Sequence, residues 1–186
     1  MNTKPTIRFL DRTTPPHILT LVLLAGISTM TMNVFLPALP EMTTYFDTSY
    51  GYMQLSVGVF MGMNAVLQLI VGPMSDRFGR RPVAMLGVVL FIIATFAALQ
   101  ATTITMFLIL RGAQAAVVTG MVLSRAAVRD IYPGQEATTM MAYVTMGVAL
   151  VPMLSPTLGG FLAMAYGWES TFWLMLSSGV VIFLLI

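Results

Sequence analysis

Six apolar runs punctuate the chain, at about residues 18–38, 52–72, 82–100, 104–124, 138–162 and 170–186, with short polar segments between them. Each approaches the ~20 residues a helix needs to cross a hydrocarbon layer about 30 Å thick. The pattern predicts an all-α membrane protein, with a tail over residues 1–17 and a six-helix transmembrane bundle over 18–186. Lys4, Arg8 and Arg12 ahead of the first run look like the basic start of a signal peptide. That run is longer than the apolar stretch of such a peptide and lacks a small-x-small cleavage site, so it reads as a retained helix. The last run is still open at Ile186, which reads as a truncation with a second half missing.

Only 9% of residues are charged and 58% are hydrophobic. A soluble domain carries about 25% charged residues. The polar surface is too small to cover a globule in water, and the expected solvent is the lipid bilayer. A net charge of +2 is too weak to read as a nucleic-acid surface. With no cysteine, disulfides, thiolate metal sites and a Cys nucleophile are excluded. The lone His17 cannot build a metal site and reads as an interfacial residue. No G-x-x-x-x-G-K-[ST] string, catalytic triad or metal cluster is present, so neither an enzyme nor a cofactor is expected.

Charge placement predicts orientation. Lys4, Arg8 and Arg12 precede the first helix, Arg77, Arg80 and Arg81 lie between the second and third, and Arg125 and Arg129 lie between the fourth and fifth. The alternate connections hold no Lys or Arg and carry Glu41, Asp47 and Glu169. By the positive-inside rule the amino terminus is cytoplasmic.

The ninth basic residue, Arg111, lies inside the fourth helix. A charge at such a position costs at least ~2.5–3.5 kcal/mol on insertion scales, so it is a functional candidate, the plainer reading being an Arg snorkelling to an interface. Gly112, Ala116 and Gly120 form a small-residue stripe beside it, and Gln114 follows it closely. Asn33 in the first helix falls at similar depth, about 7–8 Å from the outer end against roughly 10 Å for Arg111, at 1.5 Å per residue. Asn33 and Arg111 are therefore expected to share one polar pocket on a solvent-reachable cleft. In the second helix Gly58 and Gly62 precede Asn64 and Gln68, which read as a cross-helix hydrogen bond or as part of the substrate path. The third and sixth helices are poor in hydrogen-bonding groups, Thr95 and Gln100 being the clearest, and suit lipid. Seventeen methionines fit a promiscuous apolar pocket or ordinary packing.

The segment GPMSDRFGRR, residues 72–81, resembles the loop signature G-x-x-x-D-R-x-G-R-[RK] of the major facilitator superfamily, with Gly72, Asp76, Arg77, Gly79, Arg80 and Arg81 matching. Read from the residues alone, Gly72 permits close helix approach, Gly79 a tight turn, and Asp76 sits ahead of the third helix. The arginines can pair with Asp130 or Glu136 in the next inner loop. The resemblance implies a latch between two halves, and a fold in which this chain is the N-terminal bundle of a twelve-helix transporter built from inverted three-helix repeats.

NVFLPALP, residues 33–40, is similar to the Bcr/CflA (bicyclomycin-resistance) drug:proton antiporter family, in which an acid stands where this chain has Asn33. Asn cannot titrate. Arg111 with Gln114 also fits that family's fourth helix. Helix 5 resembles the antiporter signature G-x-x-x-G-P-x-x-G-G through Pro156, Gly159 and Gly160, with Val151 and Ser155 replacing two glycines. Pro152 and Pro156 free backbone carbonyls, so this segment reads as a hinge. The family implies proton-coupled efflux of small hydrophobic substrates, completed by a C-terminal half or a second copy. Import of a small metabolite, or a truncated product without transport, are the competing readings.

Overall fold

The structure, a computed structural model, describes residues 17–186. Lys4, Arg8 and Arg12 lie outside the described residues. Six helices follow one another: α1 Ile18–Tyr45, α2 Tyr50–Phe78, α3 Arg80–Leu99, α4 Ile104–Ile131, α5 Gly134–Tyr166 and α6 Glu169–Leu185. Five are long and apolar enough to cross a membrane, and α6 is a shorter apolar helix of 17 residues. The described residues contain no strand.

Caps, more than hydrophobicity, set where these helices stop. His17 Nδ1 accepts from Leu19 N–H at 3.2 Å, which makes His17 the N-cap of α1. Ser49 and Thr103 hydroxyls accept from Tyr52 and Met106 N–H at the starts of α2 and α4. Such side-chain acceptors satisfy backbone donors that have no partner within the helix. At the other ends, Gly79 at φ +90° closes α2 and Gly167 at φ +82° closes α5. Both angles favour glycine. Capped helices run past their apolar windows, so α2 extends through Phe78 and α5 begins at Gly134.

Two helices are composite. In α1, an α-helix over Ile18–Asn33 gives way to a 3-10 turn at Leu36–Ala38 and a second α-helix over Leu39–Tyr45. Pro37 and Pro40 stand in the first positions of those later segments, where a missing N–H costs nothing. The prolines therefore restart α1 rather than end it. In α4, a 3-10 turn at Ala115–Val117 separates Ile104–Gln114 from Val118–Ile131.

α1 and α4 are the most buried helices. α1 packs against α4, α5 and α6, and α4 against α1, α2 and α3. Glycines set these contacts. A Cβ on Gly120 would lie 2.5 Å from the Leu24 carbonyl oxygen of α1, and one on Gly112 would lie 3.3 Å from Val59 of α2. The small-residue stripe of α4 thus serves two neighbours. Five rings (Phe35, Phe46, Phe107, Trp168 and Phe172) join the loop ends of α1, α4 and α6, with centroid separations of 5.1 to 6.3 Å.

α3 and α6 keep exposed apolar outer faces, at Ile93, Phe96, Val181 and Leu184, while their inner faces are packed. They pack against each other, with Val88, Phe91, Phe172 and Met175 fully buried and Gly179 against the Phe91 ring. The most exposed helices are α2 and α5, where Leu69, Met153 and Met164 stand clear of the bundle. Lipid is as apolar as leucine, so an apolar sequence does not say which face is packed.

Candidate functional site

Arg111 lies in the last turn of the first α4 segment, directly before the 3-10 turn, and is 0% exposed. Its guanidinium does not snorkel, and it does not line an open cleft as the sequence suggested. It lies between two aromatic faces, 4.0 Å from the Phe35 ring centroid of α1 and 4.8 Å from that of Phe60 in α2. A desolvated cation over an aromatic face gains ~2 kcal/mol or more.

The hydrogen bonds around Arg111 form a thread across three helices. Nη1 donates to Gln114 Oε1 at 2.6 Å, and Nη2 reaches the Thr31 carbonyl of α1 at 3.5 Å. The Gln114 amide donates onward to Thr95 Oγ1 of α3 at 2.9 Å, and Thr95 donates to the Phe91 carbonyl at 2.7 Å. All three side chains are fully buried. Arg111 Nε is buried with no hydrogen-bond partner. Among the described residues no carboxylate pairs with Arg111. Two rings, one amide and one carbonyl thus hold a buried positive charge in place of a counter-ion.

Asn33 does not join this thread. Its amide donates to the Thr29 carbonyl at 2.7 Å, within its own helix. Arg111 meets α1 through Thr31 and Phe35, and Asn33 lies two positions around the helix from Thr31, on another face. Similar depth therefore did not mean contact. The sequence also passed over Phe35, Phe60 and the network role of Thr95. A lone Thr in an apolar helix was the available signal for Thr95; for the two rings there was none.

Asn64 and Gln68 bond to each other one turn apart on the exposed side of α2, rather than across helices. Gly58, Gly62 and Gly72 have open space where a Cβ would be, so no helix approaches them closely. For Gly72 this corrects the expected close approach.

At the basic end, residues 72–78 are the last turns of α2, and only Gly79 separates them from α3. Asp76 thus lies at the C-terminal end of α2, where its own helix dipole disfavours an acid. Arg80 offsets this, with Nη2 3.1 Å from Asp76 Oδ1. Its Nε donates to Asp130 Oδ2 at 3.0 Å and Nη1 to Ser75 Oγ at 2.9 Å. Of the three arginines, Arg80 ties α2 and α3 to α4, while Arg77 lies over the Phe78 ring and Arg81 is exposed. The pair partners are 35%, 54% and 67% exposed, so solvent weakens the clamp. A double-mutant cycle with Arg80→Ala and Asp130→Asn, read by thermal unfolding, should give a coupling of about 1 kcal/mol or less that shrinks with added salt.

The expected hinge is an unbroken helix packed on α1. Pro152 and Pro156 lie inside α5, which runs without interruption. Gly26 of α1 faces Val151, Gly147 faces Val22, Gly160 faces Pro37, and Gly159 sits directly on the Val34 carbonyl.

The sequence matches the Major Facilitator Superfamily profile over residues 21–186. The chain belongs to the Major Facilitator Superfamily. It is a multi-pass membrane protein with the helical architecture of an N-terminal superfamily half. Among superfamily relatives it is 33% identical over 167 residues to Multidrug resistance protein D of Escherichia coli K12, covering 88% of this chain and 42% of that one. It is 34% identical over 149 residues to a Chloramphenicol resistance protein of Pseudomonas aeruginosa, covering 78% and 35%. To the uncharacterized transporter YdgK of Bacillus subtilis it is 33% identical over 169 residues, covering 88% and 42%. The chain spans about two fifths of the length of the curated relatives it matches.

Proposed function

We propose that the chain is the N-terminal half of a Bcr/CflA-type secondary transporter that exports small hydrophobic drugs in exchange for protons across a bacterial inner membrane. Its basic end, with Arg77, Arg80 and Arg129, faces the cytoplasm. The observation that carries this reading is the buried Arg111–Gln114–Thr95 thread. A carboxylate-free guanidinium inside a lipid-embedded bundle is expensive to retain for packing alone. The resistance named in two relatives supports drugs as substrates. A second half, or a second copy, completes the pathway against the exposed faces of α2 and α5.

Asn33 and Asn64 belong to the half-buried polar lining of this half, Arg111 and Gln114 to its sealed core. No carboxylate lies within reach of Arg111 among the described residues, so the proton carrier belongs to the completing half or to the loop-end acids. The same observation favours a second reading, import of a small metabolite. A drug-susceptibility panel on cells expressing the complete locus, with and without a protonophore, separates them. Export predicts lowered susceptibility to at least one hydrophobic drug, abolished by the protonophore. Unchanged susceptibility to every compound contradicts it.

A further inference from the structure

We infer that Thr95 is a positioning residue, whose hydroxyl holds Gln114 so that the carboxamide keeps Arg111 in its sealed place; its part in export rests on the function proposed above. Proton counting fixes the direction of the thread. A guanidinium can only donate, so Gln114 must turn its oxygen to Arg111 and its NH2 to Thr95. A threonine hydroxyl has a single proton, and Thr95 gives it to the Phe91 carbonyl. Thr95 therefore meets Gln114 purely as an acceptor. All these bonds run one way, from the cation to a backbone oxygen, and bonds aligned in this manner polarise and strengthen one another.

Gln114 needs such a holder because α4 gives it little support. It is the last residue before the 3-10 turn at Ala115–Val117, and its long side chain gives up much rotamer freedom when fixed. α3 supplies the fixed point. Thr95 is the one polar side chain of α3 that is buried. Further along α3, Gly87 lies against the same turn of α4, where an added Cβ would stand 2.8 Å from the Ala116 carbonyl oxygen. α3 thus braces α4 at its break, and Thr95 is where that brace reaches the polar thread.

The test is modification of Arg111 by phenylglyoxal in the folded chain, read by peptide mass spectrometry. A sealed guanidinium reacts only when its helices part locally. In the wild type that opening breaks the Gln114–Thr95 bond. In Thr95→Val, which keeps the shape and loses the acceptor, the bond is already gone. Arg111 should therefore react about ten-fold faster in Thr95→Val, the factor that one net hydrogen bond corresponds to. Thr95→Ser, which keeps the hydroxyl, should react at the wild-type rate. Thr95→Ala, read in the same way, removes the acceptor without a branched side chain. Thr171→Val is the control: this buried hydroxyl of α6 donates to the Trp168 carbonyl at 2.7 Å, outside the thread, and its loss should leave Arg111 protected. Circular dichroism shows whether the helices of each variant are intact. Unchanged Arg111 modification in the folded Val and Ala variants, failure of Thr95→Ser to protect, or an equal rise in Thr171→Val overturns the role. In cells expressing the complete locus, Thr95→Val should lose protection against an exported drug and Thr95→Ser should keep it. A wild type that protects against no drug contradicts the transport reading, while the modification rates still decide the role of Thr95.

Discussion

Replacing Arg111 with Met and Gln114 with Leu together is expected to make the bundle more stable while ending transport. Arg111 is wholly buried without a carboxylate, and its Nε has no partner. Replacing buried ion pairs with well-packed apolar residues of similar volume is often neutral or stabilises by about 1–4 kcal/mol, and a buried guanidinium without a carboxylate carries the same desolvation cost. Methionine fills the slot between Phe35 and Phe60. Leucine at 114 removes the acceptor that the guanidinium needed, and Thr95 keeps its bond to the Phe91 carbonyl. The double variant thus leaves no polar side chain orphaned. Gln114→Leu alone should instead destabilise by about 1–3 kcal/mol, because it strips the guanidinium of its shortest hydrogen bond. The two substitutions are therefore strongly non-additive. Thermal unfolding in detergent reads the stability, and drug susceptibility of cells carrying the complete locus reads the function.

The second large effect is expected at Gly159. An added Cβ would overlap the Val34 carbonyl oxygen and lie 2.7 Å from its carbon. Those are backbone atoms at the break in α1 and cannot rotate away. Gly159→Ala should force α1 and α5 apart and destabilise by ~3 kcal/mol, at the upper end for overpacking. Gly58→Ala and Gly62→Ala are the internal comparison. Nothing lies within 4 Å of either new Cβ, so their effect should stay within about ±0.5 kcal/mol. Thermal midpoints of the three variants in one detergent decide it.

The contrast among these glycines shows what the sequence could convey. Number and order of the helices were legible, because a hydrocarbon solvent demands apolar runs of a set length, but caps carried α1, α2 and α5 beyond those runs. Arg111 and Gln114 stood out for the same reason, since polar groups are exceptions in such runs. Partners did not. Gly58-x-x-x-Gly62 and Gly112-x-x-x-Ala116 look alike as strings, yet only the latter meets a neighbour. Asn33 and Arg111 matched in depth, but depth does not specify the face of a helix, and Asn33 bonded to Thr29. The burial of α3 against α6 was equally hidden, because both lipid-facing and packed surfaces are apolar there. The loop signature contained Arg80 and Asp76 but gave no division of labour among its arginines, of which Arg80 holds both Asp76 and Asp130.

Whether the guanidinium of Arg111 is sealed among the helices is open to direct chemical footprinting. An arginine-selective dicarbonyl reagent applied to the folded protein in a bilayer, with peptide mass spectrometry, reads each arginine separately. Arg77, Arg81, Arg125 and Arg129 are exposed and should react. Arg111 should stay unmodified until the protein is unfolded. Labelling of Arg111 in the folded protein at the rate of Arg125 would contradict the account.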